Sequence, residues 1–306
     1  MVPGNARQFN VSASQTTILV LGASGMLGNT VMRFLSNSSG HRVWGSARSG
    51  TFLRYFPKSL HDHVVTGIDA NNPDHLHRLF DETKPNVVIN CIGLVKQLAE
   101  ADDPLTAIPI NSILPHRIAR LCNLIGARLV HVSTDCVFSG LNGNYRESDF
   151  PDATDLYGRS KLLGEVSCTH SVTLRTSIIG HELSSAKSLI NWFLLQNGEI
   201  QGYTKAMFSG LPTLELARVI RDYVIPNYKL HGLYHLSAAP ISKHDLLTLV
   251  GQVYGKPTVL IPNHLPVIDR SLDSSRFRKE TGYSPPDWLC LIRSMHQFYL
   301  KQALEE

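Results

Sequence analysis

Tyr157 and Lys161 stand one helical turn apart in the stretch Asp155-Leu-Tyr-Gly-Arg-Ser-Lys-Leu-Leu-Gly-Glu165. On a helix this spacing puts a phenol and an ammonium on the same face. A free phenol ionises near pH ~10, and a neighbouring cation lowers that value. Lys161 would therefore make Tyr157 a usable proton donor near neutral pH, as the reduction of a carbonyl requires. A solvated helix face with an incidental Tyr and Lys would show the same spacing, and the pair alone favours that plainer reading. Its company elsewhere in the chain reverses the preference.

The elements that would position the pair begin at Thr16 to Leu21, a continuous apolar run typical of a strand buried on both faces. Gly22-Ala-Ser-Gly-Met-Leu-Gly28 follows at once, and Asn29 to Leu35 continues as an apolar-periodic helix. Strand, glycine turn and helix in this order form a dinucleotide-binding opening. The glycines admit a tight turn and close approach to a pyrophosphate, and the helix N-terminus offers free N–H groups. The spacing G-x-x-G-x-x-G differs from G-x-G-x-x-G, so the flanking elements carry most of the inference.

His41 to Ala47 reads as the second strand. An acid at its end would bind a ribose hydroxyl, whereas an Arg would accommodate the extra phosphate of NADP. No acid stands there and Arg48 follows, so NADP(H) is preferred, with NAD(H) admitted. Arg48 on its own is equally readable as a solvated turn residue. Val64 to Ile68 is a third strand. Asp69 after it either contacts the adenine edge or caps the segment before Pro73. A helix over Pro73 to Glu82, a strand over Asn86 to Ile92, a helix over Asn111 to Ile125 and a strand over Ala127 to Val132 continue the alternation. The fold class is α/β, a Rossmann-type doubly wound parallel sheet with a smaller C-terminal substrate lobe. Ligands of such sheets bind at the carboxyl ends of the strands. Thr134 stands at one of those ends, where its hydroxyl would bond the substrate oxygen that Tyr157 protonates, or would cap the next turn.

The chain of 306 residues fits one large or two modest domains of ~150 residues. Apolar residues make up 43% and charged residues 18%, ordinary globular usage able to build a large core. The net charge of +4, with the histidines neutral, is too diffuse for a nucleic-acid partner but suits an anionic small molecule. Cys91, Cys122, Cys136, Cys168 and Cys290 form no C-x-x-C pair, which points to a reducing compartment and no structural zinc. No apolar run reaches the ~20 residues of a membrane helix. The polar start, Met1 to Ser12, lacks a signal-peptide core. No ligand cluster speaks for a catalytic metal.

Beyond Thr176 the alternation weakens. Ser188 to Asn197, Leu214 to Tyr223 and Ser242 to Tyr254 read as helices, the last with Ser242 as N-cap. Lys205 to Thr213 is a loop rich in turn formers. Arg270 would clamp a diphosphate with its planar head or pair with Asp269 at the surface. The resulting division is a flexible extension over 1–15, a dinucleotide-binding domain over 16–177 plus about 211–235, and a substrate lobe over about 178–210 and 236–306.

These residues resemble the extended short-chain dehydrogenase/reductases, and among them the dTDP-4-dehydrorhamnose reductase type. The matches include GASGMLG at 22–28, VVIN at 87–90, VSTDCVFSG at 132–140 and Tyr145-Arg-Glu147. They continue with YGRSKLLGE at 157–165, Leu174-Arg-Thr176, Gly210-Leu-Pro-Thr213, Gly232-Leu-Tyr-His-Leu236 and SLDSSRF at 271–277. The resemblance implies catalytic roles for Thr134, Tyr157 and Lys161. It implies that Gly22, Ser24, Gly25, Met26 and Leu27 wrap a pyrophosphate and that Cys91, Ile92 and Gly93 line the adenosine side. Lys96, Asp135, Cys136, Phe208 and Arg270 fall on the substrate side. Cys136 stands where the rhamnose enzymes usually carry Tyr, which leaves the sugar open. Related dehydratases carry T-D-E, and Thr134-Asp135-Cys136 argues against that chemistry.

The implied activity is NADPH-dependent reduction of a 4-keto-6-deoxy nucleotide sugar in the cytoplasm, with a nucleotide sugar as partner and a homodimer as an option. Two alternatives stand beside it. One is a nucleotide-sugar epimerase using the same Tyr157 and Lys161. The other is a non-catalytic NADP-binding regulatory subunit, since the beta subunit of methionine adenosyltransferase resembles the same reductases. The Arg48 argument yields a direct test. Arg48→Glu should weaken NADPH binding more than NADH binding in a fluorescence titration, and equal losses would remove Arg48 from the phosphate site.

Overall fold

The computed structural model describes residues 15–96 and 99–305; most of the expected N-terminal extension lies outside the described residues. The strands, in chain order, are β1 (Thr16–Leu21), β2 (His41–Ser46), β3 (Val64–Val65), β4 (Val87–Asn90), β5 (Arg128–Thr134), β6 (Ser171–Thr176) and β7 (Ile178–Ile179). β8 (Glu199–Tyr203), β9 (Ala206–Phe208), β10 (Leu211–Pro212), β11 (Gly232–His235), β12 (Ile241–Ser242), β13 (Val259–Asn263) and β14 (Ile268–Asp269) follow. The helices are α1 (Met26–Ser36), α2 (Pro73–Thr83), α3 (Pro104–Ala107), α4 (Leu114–Ile125), α5 (Leu156–Leu163), α6 (Leu189–Leu195), α7 (Thr213–Val219), α8 (Lys243–Tyr254), α9 (Ser275–Thr281) and α10 (Trp288–Glu305). None of the described helices is long and apolar enough to cross a membrane.

The central sheet has seven strands in the order β11-β6-β5-β4-β1-β2-β3, all neighbours parallel. The expected doubly wound α/β class is borne out. The unbroken apolar runs have a simple cause. Ile18 and Val20 of β1 face one core, with Val31, Met32, Leu216 and Val219 of α1 and α7. Leu19 and Leu21 face the other, with Leu76, Leu79, Leu114 and Ile118 of α2 and α4. A parallel strand covered by helices on both sides needs apolar residues at every position. Smaller sheets, β12-β9-β14, β13-β8 and β10-β7, carry the later part of the chain.

The strand order reverses between β1 and β4, so a crevice opens outside their carboxyl ends. Leu21 pairs with Asn90 there, which brings the glycine turn and Cys91–Gly93 out side by side. Gly22 has φ +79, a conformation that glycine adopts without strain. A Cβ on Gly28 would strike the Gly22 carbonyl. The tight turn starts α1 at Met26, earlier than the apolar period indicates, because Gly25 serves as its N-cap.

Other boundaries move for similar local reasons. β5 runs on to Thr134 rather than stopping at Val132, since its ladder with β6 extends to Thr134 and Thr176. β3 shortens to Val64–Val65. The helix expected from Asn111 is preceded by a π turn over Ile108–Ile113. Another π turn, Ile220–Val224, continues α7. Such turns recur at functional sites.

The short helix α5 is seated by two glycines. A Cβ on Gly158 would collide with the Cys136 carbonyl, and one on Gly164 with the Asn111 carbonyl. Both obstacles are backbone and cannot rotate away. Gly164→Ala should therefore cost about 1–3 kcal/mol in denaturant unfolding. Unchanged stability would show that α5 has room to shift.

Candidate functional site

Three successive residues at the end of β5 hold the centre of the site. The Val132 carbonyl accepts from Lys161 Nζ at 3.0 Å. Ser133 Oγ donates to Glu165 Oε1 at 2.8 Å. Thr134 Oγ1 accepts from the Cys136 amide at 3.1 Å and donates to Asp135 Oδ1 at 3.2 Å. Thr134 thus caps the following turn, as its plainer reading held, and also hydrogen-bonds Tyr157. Tyr157 and Lys161 share one face of α5. The helix begins at Asp155, whose Oδ1 accepts from the Gly158 amide at 2.8 Å.

The electrostatics correct one expectation. Tyr157 is not brought down toward neutrality. Burial raises its phenol well above the ordinary range, nearby Cys136 raises it further, and only the Thr134 hydrogen bond among its main influences opposes this. The phenol therefore keeps its proton across the physiological range, as a donor must. Lys161 points its charge elsewhere. Lys161 is 5% exposed, and burial lowers its pKa to about 8 against the opposing pull of Glu165 and Cys91. The Cys91 thiol is pushed up to about 12 by burial and is neutral. Burial also raises Asp135, with Arg270 and hydrogen bonds from Cys136, Thr134 and Ser177 pulling the other way.

A cavity of about 490 Å³ opens above these groups. Among the residues reasoned from sequence, Gly25, Met26 and Leu27 line it on the glycine-turn side, and Cys91, Ile92 and Gly93 beside them. Thr134, Tyr157 and Lys161 line it as well, together with Lys96, Asp135, Cys136, Phe208 and Arg270. Gly22 lies just beneath, where a Cβ would press on Ile92. Ser24, Arg48 and Asp69 do not line this cavity. Arg48 is exposed at the end of β2. Asp69 Oδ1 accepts from the Asn71 amide at 3.0 Å, the capping option of the two weighed. A separate groove of about 530 Å³ runs along α8, lined by Leu247, Gly251 and Leu260, away from this chemistry.

Arg270 resolves its own alternative. Its Nε donates to the Phe138 carbonyl at 2.7 Å, while Asp269 Oδ1 accepts from the Ser271 amide at 2.8 Å. Arg270 thus faces the cavity. Lys96 Nζ meets Asp155 Oδ2 at 2.6 Å with both side chains partly exposed, a contact worth little in solvent and easily exchanged for a ligand anion.

The site also contains residues that pattern reading missed. Asn111, 1% exposed, accepts from the Leu94 amide at 2.9 Å and donates to Ser160 Oγ at 3.1 Å. It braces the loop after β4 against α5 and comes close to Lys161 across Gly93. A polar residue interrupting an apolar helix period was the available signal. Lys187, Met207 and Lys243 enter the wall from distant segments, with no local signature.

The crevice fits a dinucleotide. Gly25 caps α1 without a side-chain acceptor, the first turn carries no acid, and Gly25, Met26 and Leu27 line the cavity, an arrangement suited to an anion at a helix start.

A family model described as the RmlD substrate binding domain matches residues 16–264. The chain is 31% identical over 166 residues to methionine adenosyltransferase 2 subunit beta of Bos taurus, covering 54% of this chain and 46% of that protein. It is 35% identical over 147 residues to a probable low-salt glycan biosynthesis reductase of Haloferax volcanii, covering 48% of this chain and 46% of that one. The chain thus spans about half the length of these curated relatives. The fold is that of a Bacillus anthracis dTDP-4-dehydrorhamnose reductase solved with NADP, at TM-score 0.75 and 19% identity, covering 93% of this chain and 99% of that one.

Burial of Lys161 carries a pH signature. Its folded pKa, about 8, lies below the ordinary 10.5, so between those values the unfolded chain holds more of this proton and stability rises with pH. The stability of the wild type relative to Lys161→Met should gain up to about 3 kcal/mol across that window. A difference that stays flat in denaturant unfolding would place the ammonium in solvent-like surroundings.

Proposed function

Because the chain belongs to the RmlD substrate binding domain family, we propose that it is an NADPH-dependent reductase of a 4-keto-6-deoxy nucleotide sugar, with NADH an accepted second reductant. The observation that carries this reading is that Thr134, Tyr157 and Lys161 line one cavity together with Gly25, Met26 and Leu27 at the start of α1. In this reading Gly25, Met26 and Leu27 hold the pyrophosphate of the cofactor, and Arg48, exposed just past β2, takes its extra phosphate. The bound nicotinamide supplies the hydride. Tyr157, neutral and hydrogen-bonded to Thr134, donates the proton to the carbonyl oxygen. Thr134 orients that oxygen, and the Lys161 ammonium stabilises the charge that develops on it. Asp135 and Cys136 shape the sugar side of the cavity.

Cations gather in the same cavity. Lys96, Lys187, Lys243 and Arg270 all line the cavity and suit a nucleoside diphosphate, with Arg270 able to grip two oxygens at once. The segments over about 178–210 and 236–306 form the substrate lobe in this reading. It implies a soluble step in deoxysugar synthesis for a polysaccharide.

A second reading draws on one observation, the 31% identity to a named subunit of methionine adenosyltransferase. A binding subunit has no need of a buried phenol, hydroxyl and ammonium in one cavity, and the intact set favours catalysis.

The deciding assay is loss of NADPH absorbance with a panel of dTDP- and UDP-linked 4-keto sugars. Oxidation with one of them is the expected result, and Tyr157→Phe should then lower kcat by about 10²–10⁴-fold with cofactor binding retained. Normal turnover in that variant would displace Tyr157 as the proton donor. No oxidation with any sugar, alongside tight cofactor binding, would favour the subunit reading.

A further inference from the structure

Glu165 lies outside the cavity, and the mechanism above gives it no task. It follows Lys161 by one helical turn, just past the end of α5, where its amide bonds the Leu162 carbonyl at 3.1 Å. Its side chain turns toward β5 and acts on Lys161 through its charge. Arg175 of β6 grips it with two bonds, Nε to Oε1 at 2.6 Å and Nη2 to Oε2 at 2.7 Å. Ser133 Oγ adds a third contact at 2.8 Å. The side chains of Arg175 and Glu165 are 3% and 12% exposed. Two parallel charge-assisted bonds in such a setting fix a carboxylate firmly.

The remaining donors and acceptors are also assigned. Arg175 Nη1 meets His235 Nε2 at 3.2 Å, and His235 Nδ1 meets the Tyr145 carbonyl at 2.9 Å. An imidazole with Nδ1 protonated satisfies both. Burial and Arg175 lower the pKa of His235 to about 4, so it stays neutral.

We propose that Glu165, clamped by Arg175 and Ser133, is a positioning residue that keeps Lys161 cationic and seated against β5 during the reaction. The groups facing Lys161 come from each element around it. Cys91 approaches from the loop after β4, His131 from β5, and Tyr157 and Glu165 from α5 and its end. Burial holds the first two in their neutral forms, and Tyr157 keeps its proton. Glu165 is the anion of the set. Val132 holds the cation and Ser133, its neighbour, holds the anion, so the strand fixes their separation. A clamp that merely fastened α5 to β6 would be indifferent to the charge of Lys161. Removing Glu165 would leave the buried Arg175 without its carboxylate, and the ammonium would lose its nearby counter-charge.

The role rests on the reading of Lys161 under Proposed function, but its first test needs no substrate. NMR of ¹³Cε-lysine-labelled protein, with the Lys161 signal identified by its loss in Lys161→Met, gives the titration midpoint directly. Glu165→Gln should lower that midpoint by about one pH unit or more, a tenfold loss of proton affinity. Glu165→Asp retains the charge and should lie between Gln and wild type. It also serves if the Gln variant does not fold. An unchanged midpoint in the folded variants overturns the proposal. If the midpoint moves and a 4-keto sugar is reduced, the alkaline limb of kcat/KM should move with it, and a stationary limb also overturns the proposal. A moved midpoint with no reduction of any sugar refutes the proposed substrate reading and leaves the clamp standing.

Discussion

A buried ammonium, Lys161, bound to the carbonyl of Val132 at 3.0 Å, is the constraint on which the rest of this site depends. An ion in a low-dielectric interior is costly unless it is paired and hydrogen-bonded. The surrounding fold supplies a hydrogen bond and a nearby carboxylate, Glu165, that offset part of that cost. Strand β5 ends with a carbonyl for the ammonium, a hydroxyl for its anion and a hydroxyl for the phenol. The anion is held in turn by Arg175 from the adjacent strand β6. Position and protonation at the site thus share a common origin in the pairing of β5 with β6, which continues through Thr134 and Thr176.

Close backbone approach is the second condition. α5 has only eight residues, too few to be stable alone, and its placement comes from its neighbours. Gly158 and Gly164 let it lie directly on the backbone at Cys136 and Asn111. Asn111 then ties the loop after β4 to the same helix through Leu94 and Ser160. The crevice at the strand-order reversal and the face of α5 that carries Tyr157 and Lys161 are thereby fixed relative to one another.

The distribution of charge follows the same division. Around Lys161 the interior holds a neutral phenol and a neutral thiol beside the clamped pair of Glu165 and Arg175. The wall of the cavity collects cations from four separate segments, at Lys96, Lys187, Lys243 and Arg270. A net charge of +4 on the chain is modest, but its local concentration around the cavity favours an anionic ligand.

Local patterns made much of this legible. Apolar runs marked the strands because a parallel sheet is covered on both faces. The glycine turn marked the crevice because backbone approach excludes side chains. The spacing of Tyr157 and Lys161 marked the face of α5 that lines the cavity, because a helix repeats every ~3.6 residues. The sequence could not settle the sign of the tyrosine's pKa shift. Burial outweighed the neighbouring lysine, whose charge is directed to Val132 and Glu165. Asn111 left a trace as a polar break in an apolar period, but its partners Leu94 and Ser160 did not, and Lys187 and Lys243 reach the cavity from distant segments with no local signature. Periodicity encodes which side of an element is buried, and that belongs to the sequence alone. Desolvation and the meeting of remote side chains depend on what packs against each group, and only the tertiary structure decides those.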